Sequence, residues 1–501
     1  MTQVRVRFAP SPTGALHIGG VRTALYNYLF AKQQGGTFIL RVEDTDQVRY
    51  VPGAEQYILD TLRWVGLLPD EGVGTGGPHE PYRQSERKPL YAEYAHLLVE
   101  RGHAYYAFDT PEELEARRSA EENFTYGHAT RHSLRNSLTL TAQQLSQLRQ
   151  NGTPYVVRLR VEAGRDIVVS DLIRGEVSFQ SSELDDKVLL KADGMPTYHL
   201  ANIVDDHLMQ ITHVIRGEEW LPSTAHHVLL YEGFGWTDTM PQFAHLPLIL
   251  KPVGNGKLSK RDGAKFGIPV FPLEWAGNGP EDRFDGFRNT GFLPDAVINF
   301  LALLGWHPGG DQEMFSREEL VAAFSIEHIS KGGARFDYEK AKWFNQKYIQ
   351  AADDAVLAAH IRPLAEAKGY AADTAYLTQV ARLMKERVTF LPDFVETGYY
   401  LFEPVREYDT EMLAKKWIGD IPAVFGSLTE KLATFEPFSA LSLEEMLKQF
   451  AAAQGLKPGD LMPLLRLALM GTMKGPGVFD TMLVLGQEES VRRMRQMAQR
   501  A

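Results

Sequence analysis

Two clusters of residues in this chain have the types and spacing to do chemistry on phosphates. The first is Arg5-Val6-Arg7-Phe8-Ala9-Pro10-Ser11-Pro12-Thr13-Gly14 running into His17-Ile18-Gly19-Gly20; the second is Lys257-Leu258-Ser259-Lys260-Arg261, flanked by glycines. Histidine and glycine at the start of a helix place N–H donors and the positive end of the helix dipole against an anion. Lysines on a glycine-flanked loop bring compact positive charge and mobility, which suits a lid over a polyphosphate. The alternative for that loop is an ordinary solvated basic turn. Arg7 and Glu43 belong to strand ends facing the same crevice, so a ligand carrying both charges, as an amino acid does, fits beside the nucleotide. Together these imply adenylylation, in which a carboxylate attacks the α-phosphate of ATP in line and pyrophosphate leaves. Alignment and neutralisation of developing charge carry such a displacement, and no Ser, Cys or Lys nucleophile is needed.

The elements that must position these residues follow from the pattern. Val4, Val6 and Phe8 alternate with polar residues as in a short strand, and Pro10 and Pro12 cannot extend its ladder. Thr13-Gly14 makes a turn, and 16–30 reads as a helix whose free N–H groups point at the ligand. Residues 38–42 read as a buried strand with Glu43-Asp44 at its carboxyl end, where ligands of a doubly wound sheet lie; a helix cap with a surface acid pair is the alternative. Helices are expected over 55–65 and 89–101, the second with Tyr91, Tyr94, Leu97 and Leu98 on its apolar face. The His17 stretch has neither a Walker nor a G-x-G-x-x-G spacing, and the glycine-dense stretch 72–77, expected to follow no strand and open no helix, reads as a flexible loop.

From about 109 to 190 the character changes to charged and Gln-rich helices (112–122, 141–150) and strands (155–161, 167–169), as in an insertion. The α/β pattern resumes at 188–191 and 196–206. Asp205-Asp206-His207, with His199 and His213 near, lacks metal-ligand spacing and reads as strand-end capping. Another strand precedes Arg216, and 241–250 is apolar and punctuated by Pro. Residues 264–290 look like a long loop with no assignable role. From Phe292 nearly everything has helical period, including 296–304, 317–323, 339–343, 355–368, 376–390 and 443–454. Gly471 reads as a helix C-cap and Val491-Arg492-Arg493-Met494-Arg495 as a closing basic turn.

At 501 residues, about three or four domains are expected at ~150 residues each. Apolar residues make up 44% and charged residues 23%, which describes a globular chain, not a disordered one. No cysteine occurs, so disulfides, a thiol nucleophile and thiolate zinc are excluded. A membrane span is not expected and no export signal is evident, so cytoplasm is the expectation. The net charge of −11 leaves nucleic-acid binding to local patches, because exposed charges are screened beyond about 8–10 Å.

His17-Ile18-Gly19-Gly20 resembles the HIGH signature of class I aminoacyl-tRNA synthetases, and Lys257-Leu258-Ser259-Lys260-Arg261 their KMSKS loop. With F-A-P-S-P-T-G, R-V-E-D-T-D, Y-R-Q-S-E-R, D-G-M-P-T-Y-H-L-A-N-I-V-D-D-H and V-I-R-G-E-E-W-L, nearly the whole chain resembles the bacterial glutamyl branch. The resemblance implies a Rossmann-type doubly wound parallel sheet interrupted by an acceptor-binding insertion, followed by an all-α anticodon-binding half. The implied boundaries are 1–109 and 190–263 for the catalytic fold, 110–189 for the insertion, 264–350 for stem contact and 351–501 for the anticodon.

By the same resemblance ATP, with Mg²⁺, meets Thr13, Gly14, His17, Gly19, Gly20, Lys257, Leu258, Ser259, Lys260 and Arg261, of which His17, Lys257 and Lys260 are catalytic. L-glutamate meets Arg7, Ala9, Ser11, Glu43, Tyr198, Asn202, Arg216 and Trp220, with Glu43 on the ammonium. Arg387 matches an arginine that reads the third anticodon base, or else is a plain helix-surface residue. The expected reaction joins glutamate to tRNA-Glu, with a monomer as the working form. A relaxed enzyme that also charges tRNA-Gln, and a non-catalytic tRNA-binding relative, are the alternatives. Gly20 stands where HIGH has its second histidine and Arg261 where KMSKS has its last serine. Tyr106, Phe108 and Ala129 stand where some relatives build a zinc site from cysteines, so no structural zinc is expected.

Overall fold

β1 (Arg5–Phe8) is buried along its whole length, arginines included. The alternation of apolar and polar residues therefore marks no wet face. Arg5 donates to both carboxylate oxygens of Glu71 at 2.8 and 2.9 Å and Arg7 to both of Asp206 at 3.0 and 3.1 Å, so each buried charge has its counter-charge. The computed structural model describes residues 3–277, 279 and 283–500. The chain forms two units, Met1–Phe287 with Val297–Tyr338, and Arg288–Ala296 with Glu339–Ala501.

In the first unit α1 (Ile18–Gln33), β2 (Thr37–Leu40), α2 (Ala54–Trp64) and β3 (Glu71–Gly72) follow β1, and the three strands run parallel with Val6 opposite Phe38 and Ile39 opposite Glu71. The stretch 72–77 is not the loose loop its composition suggests. Gly72 ends β3 and its N–H reaches Gly76 O at 2.9 Å, while Gly76 N–H returns to Gly72 O at 2.8 Å. At Gly72 φ is 139° and a Cβ would lie 2.3 Å from Leu40 O, so pairing to β2 demands glycine.

α3 (Lys88–Glu100) leads to β4 (Ala104–Ala107); then come α4 (Pro111–Ala120), α5 (Ala142–Gln150), β5 (Val156–Leu159), β6 (Asp166–Asp171), β7 (Gly175–Gln180) and β8 (Val188–Leu190). β4, β5 and β8 form an antiparallel sheet. The sequence reading passed over β4 because both its faces are covered. Tyr106 belongs to the core with Leu98, Val157 and Phe234, and Tyr105 to a second core with Leu114, Tyr126 and Leu134. The Tyr106 and Phe108 rings lie 5.0 and 6.0 Å from Tyr155, so aromatic packing holds this region.

α6 (Tyr198–Leu208), β9 (His213–Gly217), α7 (Thr224–Phe234) and β10 (Gln242–Leu246) return to the parallel sheet. β10 lies between β9 and β6, parallel to both, and β7 pairs antiparallel with β6. Thr212 joins the halves, its N–H on Arg5 O at 2.9 Å and its Oγ1 accepting Arg5 N–H at 2.9 Å. The strands thus progress β1 to β2 to β3 in one direction and β9 to β10 in the other. Such a reversal leaves a crevice at the carboxyl ends of the central strands. β11 (Ile249–Leu250), α8 (Lys260–Phe266) and β12 (Ala334–Arg335) complete the site's surroundings, with β12 parallel to β11 inside a region expected to be helical.

The second unit is built from helices, among them Asp354–Ala367, Thr374–Met384, Ile421–Ala433, Ala440–Ala453, Pro458–Met470 and Gln487–Arg500. Leu357, Ile361, Leu377, Phe425, Leu443, Leu464 and Met494 share one core. Gly471 caps its helix at φ 76°, as expected. Two expectations change. The helix expected over 376–390 stops at Met384, and the Asp393 carboxylate takes the N–H groups of Thr389 and Phe390, both at 2.8 Å. The closing basic turn is a full helix, and Arg493 is buried, donating to the carbonyls of Tyr400, Leu469 and Glu403.

Candidate active site

The crevice at the carboxyl ends of β1 and β9 opens into a cavity of about 850 Å³. Arg7, Ala9, Ser11, Thr13, His17, Gly19, Gly20, Glu43, Tyr198, Asn202, Arg216, Trp220, Lys257, Leu258, Ser259 and Lys260 all line it. Of the expected residues of this unit, Gly14 and Arg261 are outside the lining, and Arg261 is exposed.

His17 is the N-cap of α1, and its Nδ1 accepts the Gly19 N–H at 3.1 Å. The expectation of free helix amides does not hold. Ile18 N–H is taken by Val270 O, and Gly20 and Val21 N–H by His17 O. Because Nδ1 is an acceptor, the proton of the neutral ring sits on Nε2, which is buried and without a partner among the described residues. Burial, with Lys257 and Lys260 nearby, lowers the His17 pKa to about 4, so the ring offers a neutral N–H donor and no charge. At Gly20 a Cβ would come 2.5 Å from Leu16 Cδ1, so a larger residue there would displace the end of that side chain.

The lysine loop is anchored at both ends. Leu258 is buried and its N–H bonds Ile249 O at 2.8 Å, which makes it the hook of the loop. Ser259 caps α8 through Asp262, and Lys251 pairs with Asp262 at 3.2 Å. Arg335 on β12 donates to the carbonyls of Lys251, Pro252 and Gly254 at 2.9, 3.1 and 2.9 Å. Lys257 pairs with Glu219 across the cavity at 2.7 Å. Lys260 Nζ lies 3.1 Å from where a Cβ on Gly14 would stand, so the two motifs meet at the turn after β1, where Gly14 has φ 132°.

At the other end, Arg41 has no exposed surface and bridges Asp206 at 2.7 Å to Glu43 at 2.9 Å; Asn202 donates to Glu43 at 3.2 Å. Burial alone would raise the Asp206 pKa, but Arg7 and Arg41 more than reverse this and hold it low. Asp205, one residue back, takes Arg87, Gln84 and Tyr91. Both aspartates lie on α6, so their reading as strand-end caps is corrected: they are the counter-charges of buried arginines. Tyr198 OH accepts from Arg216 at 2.7 Å, and its ring lies 4.4 Å from that of Trp220. No His, Asp or Glu cluster among the described residues has metal-binding geometry.

A family model of class I tRNA synthetases (E and Q), catalytic domain, matches residues 3–343, and one of an anticodon binding domain matches 356–498. The chain belongs to the class I tRNA synthetases of the E and Q branch. It is 56% identical over 494 residues to a glutamate–tRNA ligase of Porphyromonas gingivalis, covering 98% of each chain. To one of Parabacteroides distasonis it is 54% identical, covering 99% of each. The crystal structure of a glutamate tRNA ligase from Elizabethkingia meningosepticum in complex with its amino acid superposes with a TM-score of 0.94, at 48% identity and 99% coverage of both chains.

In the helical unit of this family member, Arg387 is exposed just past the helix Thr374–Met384, its N–H on Met384 O at 2.8 Å. The motif reading missed Arg41, which holds Glu43, and His245, which accepts from Arg216 Nε at 3.0 Å. A charge within the apolar run Phe38-Ile39-Leu40-Arg41-Val42 was the available signal for the first, since a buried arginine requires partners. Nothing in the local sequence singles out His245. No helix among the described residues is long and apolar enough to cross a membrane.

Proposed function

We propose that this cavity joins L-glutamate to tRNA-Glu in two steps. The α-carboxylate of glutamate attacks the α-phosphate of ATP, giving glutamyl-adenylate and pyrophosphate. The 2′-hydroxyl of the terminal adenosine then attacks the activated carbonyl, giving Glu-tRNA-Glu and AMP. The observation that carries this reading is one cavity lined by Glu43, Arg7 and Arg216 together with His17 and the lysine loop. Glu43 meets the ammonium, and an arginine fork meets the side-chain carboxylate in two charge-assisted bonds. Glutamine would present an N–H₂ to that fork, leaving buried donors facing donors.

His17 donates from Nε2 to a phosphate, and Lys257 and Lys260 neutralise the charge that develops as pyrophosphate leaves. Lys257 exchanges Glu219 for phosphate in doing so. Mg²⁺ takes oxygen donors; Glu219, the carboxylate that lines the cavity beside Lys257, would be the residue to hold it with the polyphosphate, where it would neutralise phosphate charge. The insertion, 110–189, takes the acceptor end, 264–350 the stem, and 351–501 the anticodon through Arg387, in a cytoplasmic monomer without structural zinc. Unstacked anticodon bases are read by such edge contacts.

Purified tRNA-Glu and tRNA-Gln, each incubated with labelled glutamate and ATP, test the reading. Charging of tRNA-Glu is expected, and charging of neither would overturn it. Charging of tRNA-Gln as well would keep the chemistry and remove Arg387 as a discriminating reader. Arg387→Ala is expected to raise KM for tRNA-Glu about tenfold with kcat little changed, the loss of roughly one charge-assisted contact.

A further inference from the structure

Arg216 is 5% exposed and lines the cavity. Its donors go to neutral acceptors: Nε to His245 Nε2 at 3.0 Å, Nη1 to Tyr198 OH at 2.7 Å, and Nη2 to Thr224 Oγ1 at 2.9 Å. Two longer contacts at 3.4 Å, Nη1 to His227 Nδ1 and Nη2 to Trp220 O, are also neutral, and are the weak ones that an incoming carboxylate would replace, since they complete the five N–H donors of the guanidinium. Arg7 differs, because both carboxylate oxygens of Asp206 occupy its Nε and Nη2. Arg7 therefore enters the cavity with its charge offset and Arg216 with its charge intact.

His245 is fully buried and has one chemically consistent tautomer. Its Nδ1 faces Asp171 Oδ2 at 2.6 Å, and an ionised carboxylate only accepts, so Nδ1 carries the proton. Its Nε2 faces Arg216, which only donates, so Nε2 presents a lone pair. Asp171 is fixed in turn: it also accepts the N–H groups of His245 at 3.1 Å, Ile173 at 2.9 Å and Arg174 at 2.8 Å. Residues from β6, β9 and β10 thus form a row, Asp171–His245–Arg216, that ends at the cavity. The neutral imidazole fixes the plane of the guanidinium while keeping the balancing carboxylate one ring further back.

We propose that Asp171 and His245 are positioning residues for substrate selection: they lock Arg216 in the orientation that receives the side-chain carboxylate of glutamate, without neutralising it. This rests on the reading of Arg216 as a glutamate contact. A carboxylate hydrogen-bonded directly to Nε would hold the same plane but weaken the attraction for an anionic side chain. The imidazole relay maintains both geometry and charge.

The test compares His245→Phe, His245→Gln and Arg216→Ala in the full chain, assayed by charging of tRNA-Glu. His245→Phe keeps a planar ring but removes the acceptor, and is expected to raise KM for glutamate about tenfold or more while KM for ATP changes less than about threefold. His245→Gln restores an acceptor beside Nε and should recover most of that loss. Unchanged glutamate KM in His245→Phe, with Arg216→Ala inactive, would overturn the proposal. Unchanged glutamate KM in Arg216→Ala would instead overturn the reading of the pocket. Ring ¹⁵N shifts of His245 in the wild-type protein decide the matter even where a variant does not fold. A neutral ring protonated on Nδ1 is expected, and protonation on Nε2 would refute the relay.

Discussion

Lys260 and Gly14 are far apart in the chain yet meet beside His17, which brings the loop's charge to the turn that follows β1. Lys260→Ala is expected to lower glutamate activation by about two to three orders of magnitude, the usual scale for removing one preorganised charge contact to a transition state. Affinity for tRNA, measured by filter binding, should remain nearly intact; equal losses in both would take Lys260 out of the nucleotide step. His17 yields a prediction of the opposite kind, on stability. Its pKa falls from 6.5 to about 4 on folding because burial disfavours the imidazolium. Between those values the unfolded chain binds a proton that the folded chain does not, so the contribution is complete above pH 6.5 and is lost as pH falls towards 4. Denaturant titrations from pH 7 down to 4.5 should show a loss of up to about 3 kcal/mol from this group, and His17→Asn should make the profile shallower by that amount, the rest belonging to other buried histidines such as His199 and His227. An unchanged slope in the variant would exclude His17 as its source.

At the scale of elements, the lysine loop is held from outside itself. Arg335 on β12 donates to three of its carbonyls, and a short parallel pairing places β12 beside β11. Arg335→Ala frees those carbonyls to water and lets the loop sample more positions than the one over the cavity. KM for ATP is expected to rise about three- to tenfold, as one or two net hydrogen bonds would give, with KM for glutamate unchanged. A parallel rise in both constants would show that the loop supports the whole cavity. Local pattern foretold much at this scale. The first strand, α1, α2, α3 and the helices Asp354–Ala367 and Ala440–Ala453 of the second unit stand within a few residues of expectation, because amphipathic period and caps are local properties. β4 and β12 escaped because strands buried on both faces, or only two residues long, carry no period. The glycine-dense turn at 72–77 escaped because its order comes from Leu40 on a neighbouring strand.

At the scale of the whole chain, each unit has its own core, and Arg493 shows how a charge can belong to one. It ties the last helix to the carbonyls of Tyr400, Leu469 and Glu403, and to the Glu489 carboxylate at 2.6 Å. Arg493→Ala leaves these acceptors buried and unmatched, at a cost of about 3 kcal/mol or more. Hydrogen exchange in the full chain should then speed up across Pro458–Met470 and Gln487–Arg500, while β1 and β9 keep their protection. Equal acceleration in both units would mean that they unfold as one.

What the sequence by itself determined is the family and a set of candidate groups that line one cavity. Those groups lie in contiguous motifs, because a strand, a turn and a helix start can be specified by neighbouring residues. The sixteen residues from Arg5 to Gly20 and the five from Lys257 to Arg261 already name nearly half of the cavity's lining. Tertiary structure alone decided what those groups can do. Only the folded chain shows that the amides at the start of α1 are engaged, which leaves His17 Nε2 as a donor in the cavity without a partner among the described residues. Asp206, and not a substrate, balances Arg7, whereas Arg216 keeps its charge because a neutral histidine holds it. The physical reason is that protonation, tautomer and free charge depend on which groups face one another across strands distant in sequence, and no local pattern encodes that.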